Sequence, residues 1–365
     1  MYIYVILLIA ILLYGLLLNI NPNDNNIKKL FLFLSFTSCA LVLGLRNYTV
    51  GEDTGQYIIM FKENIPLNII LTSPGFKVPY LVDQWGGTQS VESGFLLWCK
   101  FVHLFSNNAQ VFIFLTAALT CFLFAKFIYD NCKDDVFFAT MVFLCESSFM
   151  VSFNLAREML ACGVALQAYT LIEKRKNWQA IVVILLAYAI HNSAIVAFLW
   201  LPILLSRPKN KRLNFSFIAS IAVLLPILSI FMQNTVTKLF PDYSLYYTKN
   251  YYQNSLGIGS TILMIIEIVC IIYMYRDNFK IHNSEKISLM VLVYIGFQIA
   301  GLKVVMLSRI ATYFRAYLIL FFNDFLEDVN PHFRSLCKVA LLVLLIMFYF
   351  SFASTDSRTY SFFWS

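Results

Sequence analysis

Five stretches of this chain carry residues whose types and spacing could do chemistry. In 44-GLRNYTVGEDTGQYIIMF-61, Arg46, the adjacent acids Glu52 and Asp53, and Tyr57 follow directly on the apolar run 30-LFLFLSFTSCALVLGL-45. In 149-FMVSFNLAREMLACGVAL-166, Asn154, Arg157 and Glu158 sit inside otherwise apolar sequence. His191 and Asn192 interrupt a third run, 178–206. In the fourth, Arg309 has Tyr313 four residues on, hence on the same helix face, with Arg315 roughly 9 Å further along the axis. Glu92 stands just before 94-GFLLWCKFVHLF-105. Arginine stays charged and forks onto phosphate oxygens, and a nearby carboxylate can accept a proton from an incoming hydroxyl. The set therefore suits group transfer from a lipid diphosphate, with the leaving anion stabilised electrostatically. Candidate catalytic residues are Asp53, Glu52, Glu92 and His191. Candidate diphosphate- or glycan-binding residues are Arg46, Tyr57, Asn154, Arg157, Arg309, Tyr313 and Arg315.

Plainer readings compete. Arg46 could snorkel from a helix end. Glu158 could be only the local partner of Arg157, and His191 could satisfy a tight turn. Arg309 could be an anchor, and Arg315 a charge inside a bundle. Glu146 and Glu267 read better as helix–helix hydrogen-bonding groups than as catalysts. Arg157 resists such a reading, because apolar sequence continues on both sides and an intramembrane charge is costly. Gly51 and Gly55 read as turn glycines, without phosphate-loop spacing. No ligand spacing calls for a metal or other cofactor, although acids beside a diphosphate are compatible with a divalent ion.

The elements that position these groups are membrane helices. Of 365 residues, 60% are hydrophobic and 13% charged, against about half and a quarter in soluble domains. The mean hydropathy is +0.72. Repeated apolar runs of span length give an all-α polytopic protein and exclude a barrel. Helices are expected near 3–20, 30–46, 109–129, 136–152, 154–172, 213–233, 259–276, 286–303, 310–328 and 336–353. The run 178–206, basic at both ends, is expected to be a hairpin of two short helices turning near His191. This makes about twelve spans in one transmembrane domain. The segment 94–105 is too short to span and reads as an interfacial or re-entrant helix within the long segment 47–108. A second long loop, 234–258, is rich in tyrosine, which suits membrane interfaces and also sugar rings. The N-terminal run has no basic start or cleavage site and reads as a first span.

The net charge of +7 does not point to nucleic acid, because the basic residues lie in short loops between spans. Lys28 and Lys29, Lys126 and Lys133, 174–176, 207–212, Arg276, Lys280, Lys286, Arg334 and Lys338 mark one side as cytoplasmic. The polar candidates then converge on the opposite, outer leaflet. The eight cysteines lie mostly in apolar runs without a C-x-x-C pair, and read as small buried apolar residues.

On these residues the chain resembles the EpsG family of bacterial polysaccharide polymerases. The segment from Arg46 to Tyr57 resembles an Arg followed by V-G-x-D-x-x-x-Y. The stretches 152-SFNLAREMLACGVAL-166, 190-IHNSAIVAFL-199 and 307-LSRIATYF-314 resemble later motifs, in the same order. Two positions depart from the pattern: Glu158, where glutamine is commoner, and Glu52, where small or hydroxyl residues are commoner. The resemblance implies a Wzy-type polymerase of O-antigen, capsule or exopolysaccharide, with a fold similar to GT-C glycosyltransferases. It implies an inner-membrane protein that joins undecaprenyl-diphosphate-linked oligosaccharides at an outward-facing site, with donor, acceptor, membrane lipids and a chain-length regulator as partners. Asp53 would accept the proton, with Glu52 or Glu92 as alternates. Arg46, Arg157, Arg309 and Arg315 would hold the diphosphate, and His191 would assist. The competing functions are a lipid-linked oligosaccharide flippase, whose charges would reach both faces, and a membrane O-acyltransferase using His191 as base. A purely scaffolding protein would leave all four polar motifs without a role.

Overall fold

The computed structural model describes residues 1–73, 75, 77–82, 88–132, 134–206, 212, 215–216, 219–224, 227–228, 257–354 and 359–365. The expected span 213–233, apart from scattered positions, and almost all of the Tyr-rich loop 234–258 lie outside them. The chain forms two compact units, residues 1–195 with 349–365, and residues 196–348.

The first unit opens with α1 (Tyr2–Gly15), extended by a 3-10 turn to Asn19, and α2 (Asn25–Gly44). Asp24 caps α2 by accepting from the Asn26 amide at 2.7 Å, satisfying one of the orphan donors of a first turn. The motif loop leads to α3 (Thr54–Lys62) and α4 (Leu67–Thr72). An antiparallel pair follows, β1 (Lys77–Val82) and β2 (Thr88–Glu92), in register Lys77 with Glu92 and Val82 with Thr88. Its register shifts between Val78 and Leu81, around Pro79, a residue that cannot donate to a ladder and is tolerated at such irregularities. That proline also explains why the all-α expectation missed the pair.

Next come α5 (Ser93–His103) and α6 (Ala109–Asn131), the latter capped by Asn108. α5 is the expected short helix. Its Leu97, Phe101, Leu104 and Phe105 are exposed, while Trp98 Nε1 donates to Thr116 Oγ1 of α6 at 2.9 Å. The expected single span 136–152 is instead interrupted. α7 (Val136–Cys145) and α8 (Ser148–Val151) are separated by Glu146 and by Ser147, whose φ is +95°. Glu146 Oε1 accepts from the Ser148 amide at 3.2 Å and caps the second piece. Glu146 thus serves the backbone of its own helix. α9 (Ala156–Glu173) and α10 (Asn177–Ile190) pack closely, joined through Lys174–Lys176, so the start of α9 and the end of α10 lie at one end of the bundle.

The second unit takes in the latter half of a 3-10 stretch, Asn192–Leu199, then α11 (Trp200–Leu205), α12 (Ile258–Arg276) and α13 (Ser284–Ala300). The break inside 178–206 falls at His191, as expected, with an extended backbone of φ −153° and ψ 126°. The expected span 310–328 is two helices, α14 (Val305–Arg315) and α15 (Leu318–Asp328). α16 (Pro331–Ala353) runs from the second unit into the first.

Five helices among the described residues are long and apolar enough to cross a membrane: 2–19, 25–44, 109–131, 258–276 and 331–353. Several apolar helices are shorter, including Val136–Cys145 and Asn177–Ile190. The protein is an all-α membrane protein with one small strand pair. Apolar side chains such as Ile6, Leu13, Phe122 and Met347 are exposed along the long helices, the surface that hydrocarbon would cover.

The end of α2 accounts for the first motif residue. A helix leaves its last carbonyls without intrahelical partners, and here each is met. Leu41 O accepts from the Leu45 amide, Val42 O from the Tyr360 hydroxyl, Leu43 O from Arg46 Nη1 and Gly44 O from Gln110 Nε2, at 2.9, 3.0, 2.8 and 2.6 Å. The C-terminal segment closes this arrangement. Phe363 N donates to Leu45 O, and Asn47 N donates to Ser361 O.

Candidate functional site

The centre of the candidate site is Glu92, where β2 ends and α5 begins. It is 4% exposed, yet fully engaged. Oε2 accepts from Arg157 Nη1 at 2.8 Å, and Oε1 accepts from His191 Nδ1 at 3.0 Å and from the Asn192 amide at 2.9 Å. One carboxylate thus ties the β2–α5 junction to the first turn of α9 and to the residues just past α10. Burial alone would raise the Glu92 carboxyl. The Arg157 charge and the His191 and Asn192 hydrogen bonds outweigh it and hold Glu92 well below the usual carboxylate range.

Close packing makes this reach feasible. A Cβ at Gly94 would lie 2.5 Å from the Ala189 carbonyl oxygen, so only glycine lets the start of α5 approach the end of α10 this closely. Arg157 also stacks over Phe95, its guanidinium 5.6 Å from the ring. A cation in the first turn of α9 opposes the helix dipole, and the Glu92 carboxylate offsets it. Glu158 is 2% exposed, with Oε2 3.7 Å from His191 Nε2.

The motif loop borders this cluster. Tyr57 donates from its hydroxyl to Asn154 O at 3.1 Å, and its ring packs edge-on against Phe95 at 6.0 Å. Phe95 therefore touches both Tyr57 and Arg157. Gly51, at φ +88°, lies so close to Phe153 O that a Cβ would come within 2.1 Å. The loop is thereby pressed onto the segment leading into α9. Asp53 opens α3 and is half-buried, whereas Glu52 is exposed. Asn154 Oδ1 is buried without a hydrogen-bond partner among the described residues. α5 also clamps the far end of α3: Lys100 Nζ donates to Asn64 O at 3.0 Å, and His103 stacks on Phe61 at 4.0 Å.

Arg46 is placed differently from what an open phosphate-binding residue requires. It is 2% exposed, donates to Leu43 O and to Thr54 Oγ1, and packs on Phe153 at 5.5 Å. No carboxylate pairs with it among the described residues, and the α2 carbonyl end offsets its charge. This is the helix-end reading in a capping form. A small cavity of about 20 Å³ is lined by Arg46 together with Tyr57, Phe95, Thr116, Ser152 and Ala156 among others. It is large enough for a water molecule.

Arg309, Tyr313 and Arg315 share α14 in the second unit. Tyr313 is buried, and both arginines are half-buried. Arg315 Nη2 donates to Gln298 Oε1 at 3.3 Å, and its guanidinium lies 5.2 Å over the Tyr294 ring. Its plainer reading as a charge inside a bundle is thereby given partners.

The structure thus brings together Glu92, Arg157 and His191, with Tyr57, Asn154 and Asp53 alongside in the same unit. Glu158, weighed from the sequence only as a local partner of Arg157, faces His191, and the Asn192 amide and Gly94 are participants to which the sequence reading gave no role. Asn192 adjoins His191, so its signal was adjacency. Gly94 had none, since its contact is with the distant Ala189. Among the described residues no three His, Cys, Asp or Glu side chains are grouped to hold a metal ion.

A family model described as the EpsG family matches residues 29–365, nearly the whole chain. The chain therefore belongs to the EpsG family, whose general role is polysaccharide polymerisation. No curated protein and no solved structure matches it.

Proposed function

Starting from EpsG-family membership, we propose that this chain is a Wzy-type polysaccharide polymerase. It is a glycosyltransferase that joins undecaprenyl-diphosphate-linked oligosaccharide repeat units on the outer face of the plasma membrane. The observation that carries this reading is the convergence of Arg157, His191 and Glu92 at one end of the helices. The motif loop beside them holds Asp53 at the start of α3.

In this reading a hydroxyl of the acceptor unit loses its proton to Asp53. Its oxygen forms the new bond to the anomeric carbon of the growing chain. The bond from that carbon to the diphosphate oxygen breaks, and the electron pair leaves with undecaprenyl diphosphate. Arg157 and the Nε2 edge of His191 face the developing negative charge. Glu92 acts as the positioning group that holds both in place, because its oxygens are committed to them and its proton affinity is low. Asp53 is favoured over Glu52 because it is half-buried at a helix start, while Glu52 is exposed. The resemblance to the EpsG family also implies a diphosphate-binding role for Arg309 and Arg315, and a GT-C-like fold is the expected frame. A chain-length regulator is the expected protein partner.

The test is polymerisation by purified protein in bilayer discs, using the lipid-linked repeat unit. Wild-type protein should produce glycan ladders. Asp53→Asn and Arg157→Ala should remain folded and inserted but produce none. Ladders at normal rate from either variant refute the site. A wild-type protein that makes no ladders, yet moves labelled lipid-linked units across vesicles, is a transporter instead.

A further inference from the structure

The proposed reaction leaves Glu158 without a task. Glu158 stands in the first turn of α9, next to Arg157, and is 2% exposed. Neither of its carboxylate oxygens has a hydrogen-bond partner among the described residues. A buried polar group left in that state is costly to the fold. Such a group is retained where something else uses it. Its charged neighbour is His191, whose Nε2 lies 3.7 Å from Oε2, within ion-pair range but beyond hydrogen-bond reach.

His191 is therefore flanked by carboxylates at both ring nitrogens, Glu92 at Nδ1 and Glu158 at Nε2. The two sides are not alike. Nδ1 is committed to Glu92 at 3.0 Å. Nε2 faces a carboxylate that has not closed on it. A neutral imidazole donates through one nitrogen only, whereas an imidazolium donates through both. A substrate oxygen arriving at the Nε2 edge would meet a donor, and the Glu158 charge on the far side of the ring nitrogen would keep it one.

We propose that Glu158 is a positioning residue of this site, acting through His191: it keeps the Nε2 edge of the imidazole oriented as a donor toward an entering anionic oxygen. The polymerase reading identifies that oxygen as one of the lipid diphosphate. The pairing of Glu158 with His191 does not depend on that reading. The groups facing the ring are Glu92 from the β2–α5 junction, and Glu158 and Arg157 from α9. Burial disfavours charge on the ring, and Arg157 adds to that. The two carboxylates outweigh both and raise His191 above its ordinary value.

The test has two arms on the full-length protein in bilayer discs. In the first, isotope-labelled histidine reports the titration of each of the four histidines, with His191 assigned by its loss in His191→Gln. Glu158→Gln is isosteric and uncharged. It should lower the His191 midpoint by about 1 pH unit, the smaller end of the effect of one opposite charge at this range. Glu158→Asp should retain most of the wild-type value. A His191 midpoint unmoved by Glu158→Gln overturns the proposal. If that variant does not fold, Glu158→Asp carries the test, with a smaller shift of the same sign expected and no shift overturning it.

In the second arm, polymerisation is followed against pH. Glu158→Gln should move the alkaline limb of the profile down by the same interval, and Glu158→Asp should restore it. Folded Glu158→Gln that loses activity equally at every pH would mark a purely structural role and overturn the proposal. A shifted midpoint in a protein whose wild type makes no ladders supports the pairing and locates the failure in the polymerase reading.

Discussion

Replacing Glu92 should disable the protein through its neighbours. Its carboxylate accepts three hydrogen bonds, from Arg157, His191 and the Asn192 amide. Glu92→Ala removes all three and takes the carboxylate away from both Arg157 and His191. Removing one partner of a buried ion pair costs about 3–5 kcal/mol, because the other charge stays buried. At roughly 2–4 °C per kcal/mol for a domain-sized unit, the melting temperature should fall by about 6–20 °C. Tryptophan fluorescence during heating in detergent reads this directly. The double variant Glu92→Ala with Arg157→Ala should lose less than the sum of the two singles, because the second change removes the charge that the first stranded. The pH dependence has a definite sign. The folded Glu92 carboxyl lies below its ordinary value, so its contribution is complete above the unfolded value near ~4.3 and declines as the pH falls below it. The gap in melting temperature between wild type and Glu92→Gln should be widest between about pH 5 and pH 6, shrink below about pH 4 as Glu92 takes up a proton, and narrow above the ordinary histidine value of about 6.5 as the raised His191 loses its proton. A Glu92→Ala protein with wild-type melting and wild-type ladder formation would refute the idea that Glu92 organises the site.

What the sequence shows of this architecture follows from which forces are local. Apolar length and helix caps are local, so α1, α2, α6, α12 and α16 come out close to expectation. The break at His191 was also legible, because one run too long for a span was bounded by basic residues on both sides. The interruption at Glu146 and Ser147 was not. It depends on a serine in the left-handed region, capped by the preceding acid, and periodicity carries no trace of it. The strand pair was hidden by Pro79. In the site, residue type identified Arg157, His191 and Glu92, since buried charge in apolar sequence is costly and needs a partner. Type alone did not say who partners whom. Glu92 and Arg157 are 65 positions apart, and a single sequence carries no signal for such a pair. Arg46 shows the opposite case. Its type suggested an anion site, whereas its contacts place it at the end of α2.

Further outcomes follow from the same contacts. Gly94→Ala should cut polymerisation and lower the melting temperature together, because the added methyl meets the Ala189 carbonyl and forces Glu92 away from His191. Gly257→Ala, where a Cβ meets nothing within 4 Å and φ is −62°, controls for glycine loss elsewhere in the chain. Arg46→Lys keeps the charge but not the fork to Leu43 O and Thr54 Oγ1. Melting should fall by about 3–12 °C, at about 1.5–3 kcal/mol for hydrogen bonds to a charged group. Deleting residues 360–365 removes the Tyr360 bond to Val42 O and the backbone bonds that join 361–363 to 45–47. Both sit at the root of the motif loop, so the truncated protein should insert normally but be cleaved faster within 47–53 by a protease that reports local opening. Tyr360→Phe, lacking only the hydroxyl, should be intermediate. Unchanged cleavage of the truncated protein would show that Arg46 and Gln110 hold the end of α2 without help from the C-terminus.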